Sequence, residues 1–131
     1  MLLTVCVGCC VKTILIVDEN LGFVFWLGQL LQSAGFAAFP ARRVYDAGIV
    51  ILDHALTVDI LILNPFLPGA ADLIARLRQN QKHLKVITIA EPGLAGGPGV
   101  DTSCPKPHHI DEEARLEWLS VVRHVLSEVF P

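Results

Sequence analysis

Two kinds of apolar pattern alternate along the chain from Lys12 onward. Thr13-Ile-Leu-Ile-Val17 and Asp59-Ile-Leu-Ile-Leu63 are continuous aliphatic runs with no polar side, as parallel strands buried on both faces require. Val86-Ile-Thr-Ile-Ala90 repeats the pattern, and the shorter runs Phe36–Phe39 and Val100–Cys104 predict two further strands. Between them the apolar residues recur at helical spacing. Phe23, Leu27, Leu30, Leu31 and Ala34 predict a helix over Leu21–Ala34, begun by the polar Asp18-Glu19-Asn20 and stopped at Gly35. Phe23, Leu27, Leu30 and Ala34 fill its core stripe, which turns Val24, Phe25 and Trp26 toward other faces. Val44, Ala47, Ile51 and Leu52 predict a second helix over Val44–His54, weakened by Gly48, and a third covers Ala70–Asn80. The last is the clearest. Asp111 caps it, Glu112 and Glu113 suit its positive end, and Ala114, Trp118, Val122, Val125 and Val129 line one face as far as Phe130.

Strands that alternate with helices imply a parallel sheet covered on both faces, because parallel strands need crossover connections. The predicted class is therefore α/β, a flavodoxin-like, doubly wound, five-stranded parallel sheet. Asn64-Pro65-Phe66-Leu67-Pro68-Gly69 is a loop. Glu91–Gly99, with four glycines and two prolines, cannot sustain the helix due between the last two strands, so the fourth of five helices is eroded. At 131 residues the chain is one domain by the prior of about 100–200 residues per domain. That domain covers residues 12–131, behind an apolar, cysteine-containing extension at 1–11.

Composition narrows the function classes. Apolar residues make up 53% and charged residues 18%, against about 25% charged in an average soluble domain, which excludes disorder and predicts some exposed apolar surface. A net charge of −3 lacks the basic excess that nucleic-acid backbones attract. Met1–Val11 and Leu21–Leu31 both fall short of the roughly 18 apolar residues of a membrane span. The extension lacks a basic start, so Val7-Gly8-Cys9 is a poor processing site. Cys6, Cys9, Cys10 and Cys104 fit buried thiols in a reducing cytoplasm better than a disulfide framework. His54, His83, His108, His109 and His124 show no metal-ligand spacing and are expected at the surface.

In such sheets ligands lie beyond the carboxyl ends of the strands. Asp18 and Glu19 stand there after the first strand, Asn64 after the third, Ala90 and Glu91 after the fourth, and Lys106 after the fifth. No glycine-rich cradle follows the first strand, and two carboxylates repel a nucleotide phosphate. An acidic pair facing a lysine suits a small site for a hard cation such as magnesium. It is equally an ordinary favourable start to a helix.

These residues in this order resemble the receiver domain of two-component response regulators, the family of the chemotaxis regulator. The resemblance is carried by Ile14–Asn20, by Asp59–Asn64 with Leu67-Pro68-Gly69, by Val86–Ala90 and by Gly99–Pro107, and it runs from Lys12 to the end. It implies strand order 2-1-3-4-5. It also implies an aspartate after the third strand that accepts a phosphoryl group from a histidine kinase, with magnesium held by Asp18, Glu19 and the backbone carbonyl of Phe66. A hydroxyl residue after the fourth strand and Lys106 would contact the phosphate.

The chain departs from that pattern at several functional positions. Asn64 stands where the acceptor aspartate belongs, and an amide oxygen is a poor, uncharged nucleophile. Deamidation offers no rescue, since its succinimide route needs the next backbone N–H and Pro65 has none. Ala90 replaces the hydroxyl residue, and Ser103 replaces an aromatic switch residue. The expectation is a non-enzymatic, stand-alone pseudo-receiver with no output domain. It would act by binding a histidine kinase, another response regulator or a second copy of itself, with magnesium absent or weakly bound. Phe25 and Trp26 are its candidate partner surface, unless they pack under a loop or the extension. Two alternatives stay open: a phosphorylatable domain using a displaced carboxylate, Asp18 or Asp59, with magnesium; and a decayed receiver without function.

Overall fold

The computed structural model describes residues 11–90 and 102–127. Its elements run β1 (Thr13–Val17), α1 (Leu21–Ser33), β2 (Ala37–Ala41), α2 (Val44–His54), β3 (Ile60–Leu63), α3 (Ala70–Asn80), β4 (Lys85–Ala90), β5 (Thr102–Pro105) and α4 (Glu112–Ser127). The strands form one sheet in the order β2-β1-β3-β4-β5, every neighbouring pair parallel. The predicted class and strand order are both present. The expectations for Glu91–Gly99, for Val100 and Asp101, for Cys6, Cys9 and Cys10, and for Val129 and Phe130 lie outside the described residues.

Because successive strand residues point to opposite faces, each aliphatic run feeds two cores. Ile14, Ile16, Ile60, Ile62, Ile87, Ile89 and Cys104 face α1 and α4, where they meet Phe23, Val24, Leu27, Leu31, Trp118 and Val122. Leu15, Val17, Leu61, Leu63 and Val86 face α2 and α3, where they meet Ala47, Leu73 and Leu77. Trp118 is fully buried and its ring lies 5.6 Å from that of Phe23. Val24 is buried too, contrary to its expected place off the core stripe, because the stripe is wide enough to include positions 23, 24, 27, 30 and 31.

Local signals set most boundaries. Asn20 caps α1, its side chain accepting a hydrogen bond from the Phe23 N–H at 3.1 Å, and Asp111 does the same for Ala114 at 2.9 Å. Gly35 at φ +98° ends α1, a left-handed conformation that favours glycine. β2 differs from expectation: it runs Ala37–Ala41 rather than Phe36–Phe39, and so contains Pro40. The Ala37 N–H donates to Lys12 and the Ala41 carbonyl accepts from Asp18, so residues 37, 39 and 41 face β1 while the Pro40 nitrogen points away from it. An edge strand tolerates proline in that position.

Two outcomes are expected from this packing. Trp118→Ala should lower unfolding stability by about 3–5 kcal/mol in urea titration, as removal of a buried large aromatic does. Burial, reinforced by the charge of Glu117, pushes the Cys104 thiol from its ordinary value of 9.0 up to about 12. The folded state therefore holds the proton longer than the unfolded chain, so its stabilisation is complete below pH 9 and is lost as pH rises toward about 12. Alkaline titration of stability should show this loss in the native chain and not in Cys104→Ala.

Candidate functional site

Asp18, Asn64 and Lys106 continue the alternation that buries Ile16, Ile62 and Cys104, so all three belong to the α1/α4 side of the sheet at its carboxyl edge. Their backbones extend the ladder. The Asp18 N–H donates to the Ala41 carbonyl at 3.1 Å, that of Asn64 to Val17 at 2.9 Å, and that of Lys106 to Ala90 at 3.3 Å. Each side chain therefore starts from a fixed point.

The three side chains meet. Asp18 is wholly buried; its Oδ1 accepts from Asn64 Nδ2 at 2.8 Å. Its Oδ2 pairs with Lys106 Nζ at 2.8 Å and accepts from the Asn20 N–H at 3.2 Å. The remaining polar atom of the amide is used as well, since Asn64 Oδ1 accepts from the Phe66 N–H at 2.9 Å. Lys106 Nζ also lies 5.5 Å from the ring centre of Phe23, where the ring face favours a cation. One negative and one positive charge balance, and every Asp18 oxygen has a partner. Hydrogen bonds to charged groups contribute about 1.5–3 kcal/mol each, so this is a strong local tie between β1, β3 and the end of β5.

Other expected site residues stand apart. Glu19 is exposed and joins none of these contacts, so the acidic pair does not converge. Phe66 is exposed, and only its N–H is engaged with the triad. These groups do not fit a magnesium site as arranged: one buried carboxylate already neutralised by lysine, and an amide oxygen already accepting a backbone hydrogen bond, leave no set of free anionic oxygens. Ala90 has the strand parity of Val86 and Thr88, the opposite face from Asn64. Ser103 is exposed and shares a 2.7 Å hydrogen bond with Thr88. Asp59 sits at the amino end of β3, where it accepts from the Thr13 N–H at 2.8 Å, about 16 Å along the strand from Asn64.

The partner-surface pair divides. Phe25 is 55% exposed, whereas Trp26 is half-buried against the α1/α4 core with its ring 6.1 Å from Phe23. Cys104 is a buried free thiol, the five histidines are exposed, and among the described residues no cluster of His, Cys, Asp and Glu could hold a metal ion. No described helix is long and apolar enough to cross a membrane. Sequence reasoning missed the Thr88–Ser103 pair and the aromatic floor under Lys106. The register of β4 against β5 would have found the first; the second needs the path of α1 across the sheet.

No family model matches the chain, and no curated protein matches it. Solved structures do. A putative response regulator from Chloroflexus aurantiacus J-10-fl is 24% identical with a TM-score of 0.71, over 90% of this chain and 99% of that one. The receiver domain of the hybrid histidine kinase CckA is 26% identical with a TM-score of 0.67, over 88% and 99%. A structure of the histidine kinase ThkA in complex with the response regulator protein TrrA matches at 22% identity and a TM-score of 0.65, over 88% and 99%. The chain has the fold of the response-regulator receiver domains.

Proposed function

We propose that this protein is a receiver-like signalling module of the two-component type that works by binding another protein and takes no phosphoryl group. The observation that carries the reading is the 2.8 Å hydrogen bond from Asn64 Nδ2 to Asp18 Oδ1. At the position where the resemblance calls for an anionic acceptor, this chain holds a neutral donor, and that donor satisfies the carboxylate beside it. A phosphoryl acceptor needs a nucleophilic oxygen, and one that is free; the Asn64 oxygen is uncharged and accepts from Phe66. Lys106, which would otherwise meet a phosphate, is paired with Asp18.

The displaced-carboxylate alternative finds little support. Asp18 is buried with both oxygens engaged, and Asp59 belongs to the other edge of the sheet. With chemistry given up, the remaining role is contact. A histidine kinase or another response regulator is the partner class that the fold favours, given that a response regulator protein of similar fold was solved in complex with a histidine kinase. Phe25 on α1 is an exposed apolar side chain suited to such a contact.

Intact mass after incubation with a small phosphodonor and magnesium should show no adduct on the native chain and one phosphoryl group on Asn64→Asp; an adduct on the native chain overturns the reading. The same variant sets a second carboxylate beside buried Asp18, so without a divalent cation it should be less stable than native by about 1–3 kcal/mol. Millimolar magnesium should restore that loss in a thermal melt, while leaving the native melt unmoved. Lys106→Met leaves the Asp18 charge buried without its counter-ion. Discounted for the partial exposure of Lys106, the cost in urea unfolding should be about 2–3 kcal/mol.

A further inference from the structure

α2 is apolar on two sides and uses only one of them. It packs on the sheet through buried Ala47 and half-buried Val44, Val50 and Ile51. Its outer side carries Tyr45 at 73% exposure, Ile49 at 39% and Leu52 at 81%. These positions are separated by four and three residues, so they form one stripe along the helix. A helix face turned to water is ordinarily polar, and a contiguous apolar stripe there marks a contact surface.

We propose that this stripe is the interface of a homodimer, in which two copies of the chain pair their α2 helices antiparallel through Tyr45, Ile49 and Leu52. The charges at the helix ends select both the occupant and its direction. Arg42 is exposed just ahead of the amino end and Asp53 is exposed in the last turn, and neither has an ion-pair partner among the described residues. Each has the sign that its own helix dipole disfavours. An antiparallel second copy brings Arg42 of each chain to Asp53 of the other, twice, about a two-fold axis. A parallel copy would set like charge against like.

Gly48 adds a shape argument. It lies inside the helix beside the stripe, its φ is not in the left-handed region, and a Cβ built there meets nothing within 4 Å. A glycine inside a helix is less favourable than alanine, and nothing within a single copy requires one here. It opens onto a groove of about 280 Å³ between α2 and α3, floored by Leu73 and Leu77 and flanked by Leu52. A partner helix can approach closely at a glycine, and the groove can receive a large side chain such as the partner copy's Leu52 or Tyr45.

Sedimentation velocity of the full chain from micromolar to millimolar concentration tests the pairing. The expected result is a mass rising from one chain toward two. Leu52→Lys should weaken association by about tenfold or more, as loss of a central apolar anchor does. Arg42→Glu and Asp53→Arg should each weaken it by about threefold, and the double variant should return to within about twofold of native, the signature of a direct pair. All of these side chains are exposed, so the thermal melt of the monomer should stay in place. A monomer mass at every concentration overturns the proposal, as would happen if residues 1–10 of the same chain cover the stripe. A dimer indifferent to Leu52→Lys overturns it as well, and failure of the double variant to recover overturns the antiparallel arrangement.

Discussion

A buried carboxylate must be answered by its surroundings, and the carboxyl edge of this sheet is organised around answering Asp18. An isolated buried charge costs several kcal/mol, and here two neighbouring segments offset the anion that follows β1: the residue after β3 supplies an amide donor, and the residue after β5 supplies the cation. The identity of residue 64 is the deciding detail. A carboxylate at that position would set anion against anion, an arrangement that only a bound cation or a raised pKa can reconcile. An amide turns the same geometry into a closed set of hydrogen bonds around Asp18. The receiver fold is present, and at this edge the Asn64 amide and the Lys106 ammonium together answer the one buried carboxylate.

That arrangement persists because the sheet beneath it is rigid. The central strands β1, β3 and β4 are buried on both faces, and the backbone N–H groups of Asp18, Asn64 and Lys106 are held in the ladder before their side chains begin. Phe23, packed against Trp118 in the core, also forms the apolar wall beneath the Lys106 ammonium, so core packing and site geometry share a residue. On the opposite face Thr88 and Ser103 satisfy one another, and neither hydroxyl is turned toward Asn64. Phe25 on α1 and the outer stripe of α2 are turned to solvent.

The sequence by itself determined the class, the strand order through its resemblance to the receivers, and most element boundaries. Runs such as Ile14-Leu-Ile-Val17 have no polar face to turn toward water, and Asn20, Gly35 and Asp111 are local stop and start signals that act within a few residues of themselves. It also placed Asp18, Asn64 and Lys106 at the carboxyl edge, together with Glu19, Ala90 and Glu91, because strand ends are legible from spacing. What it left open depended on distances between segments remote in sequence. Whether Glu19 joins Asp18, whether Asp59 can stand in for an acceptor, and whether Trp26 is a surface or a packing residue are decided by which face each backbone presents after folding. The register of β2 moved past Phe36 because an edge position made Pro40 acceptable, a fact about neighbours rather than about the segment. Only the tertiary structure revealed that the Asn64 amide points its donor at Asp18 while its oxygen accepts from Phe66, since hydrogen-bond direction is set by the groups that converge there and not by the residue's name.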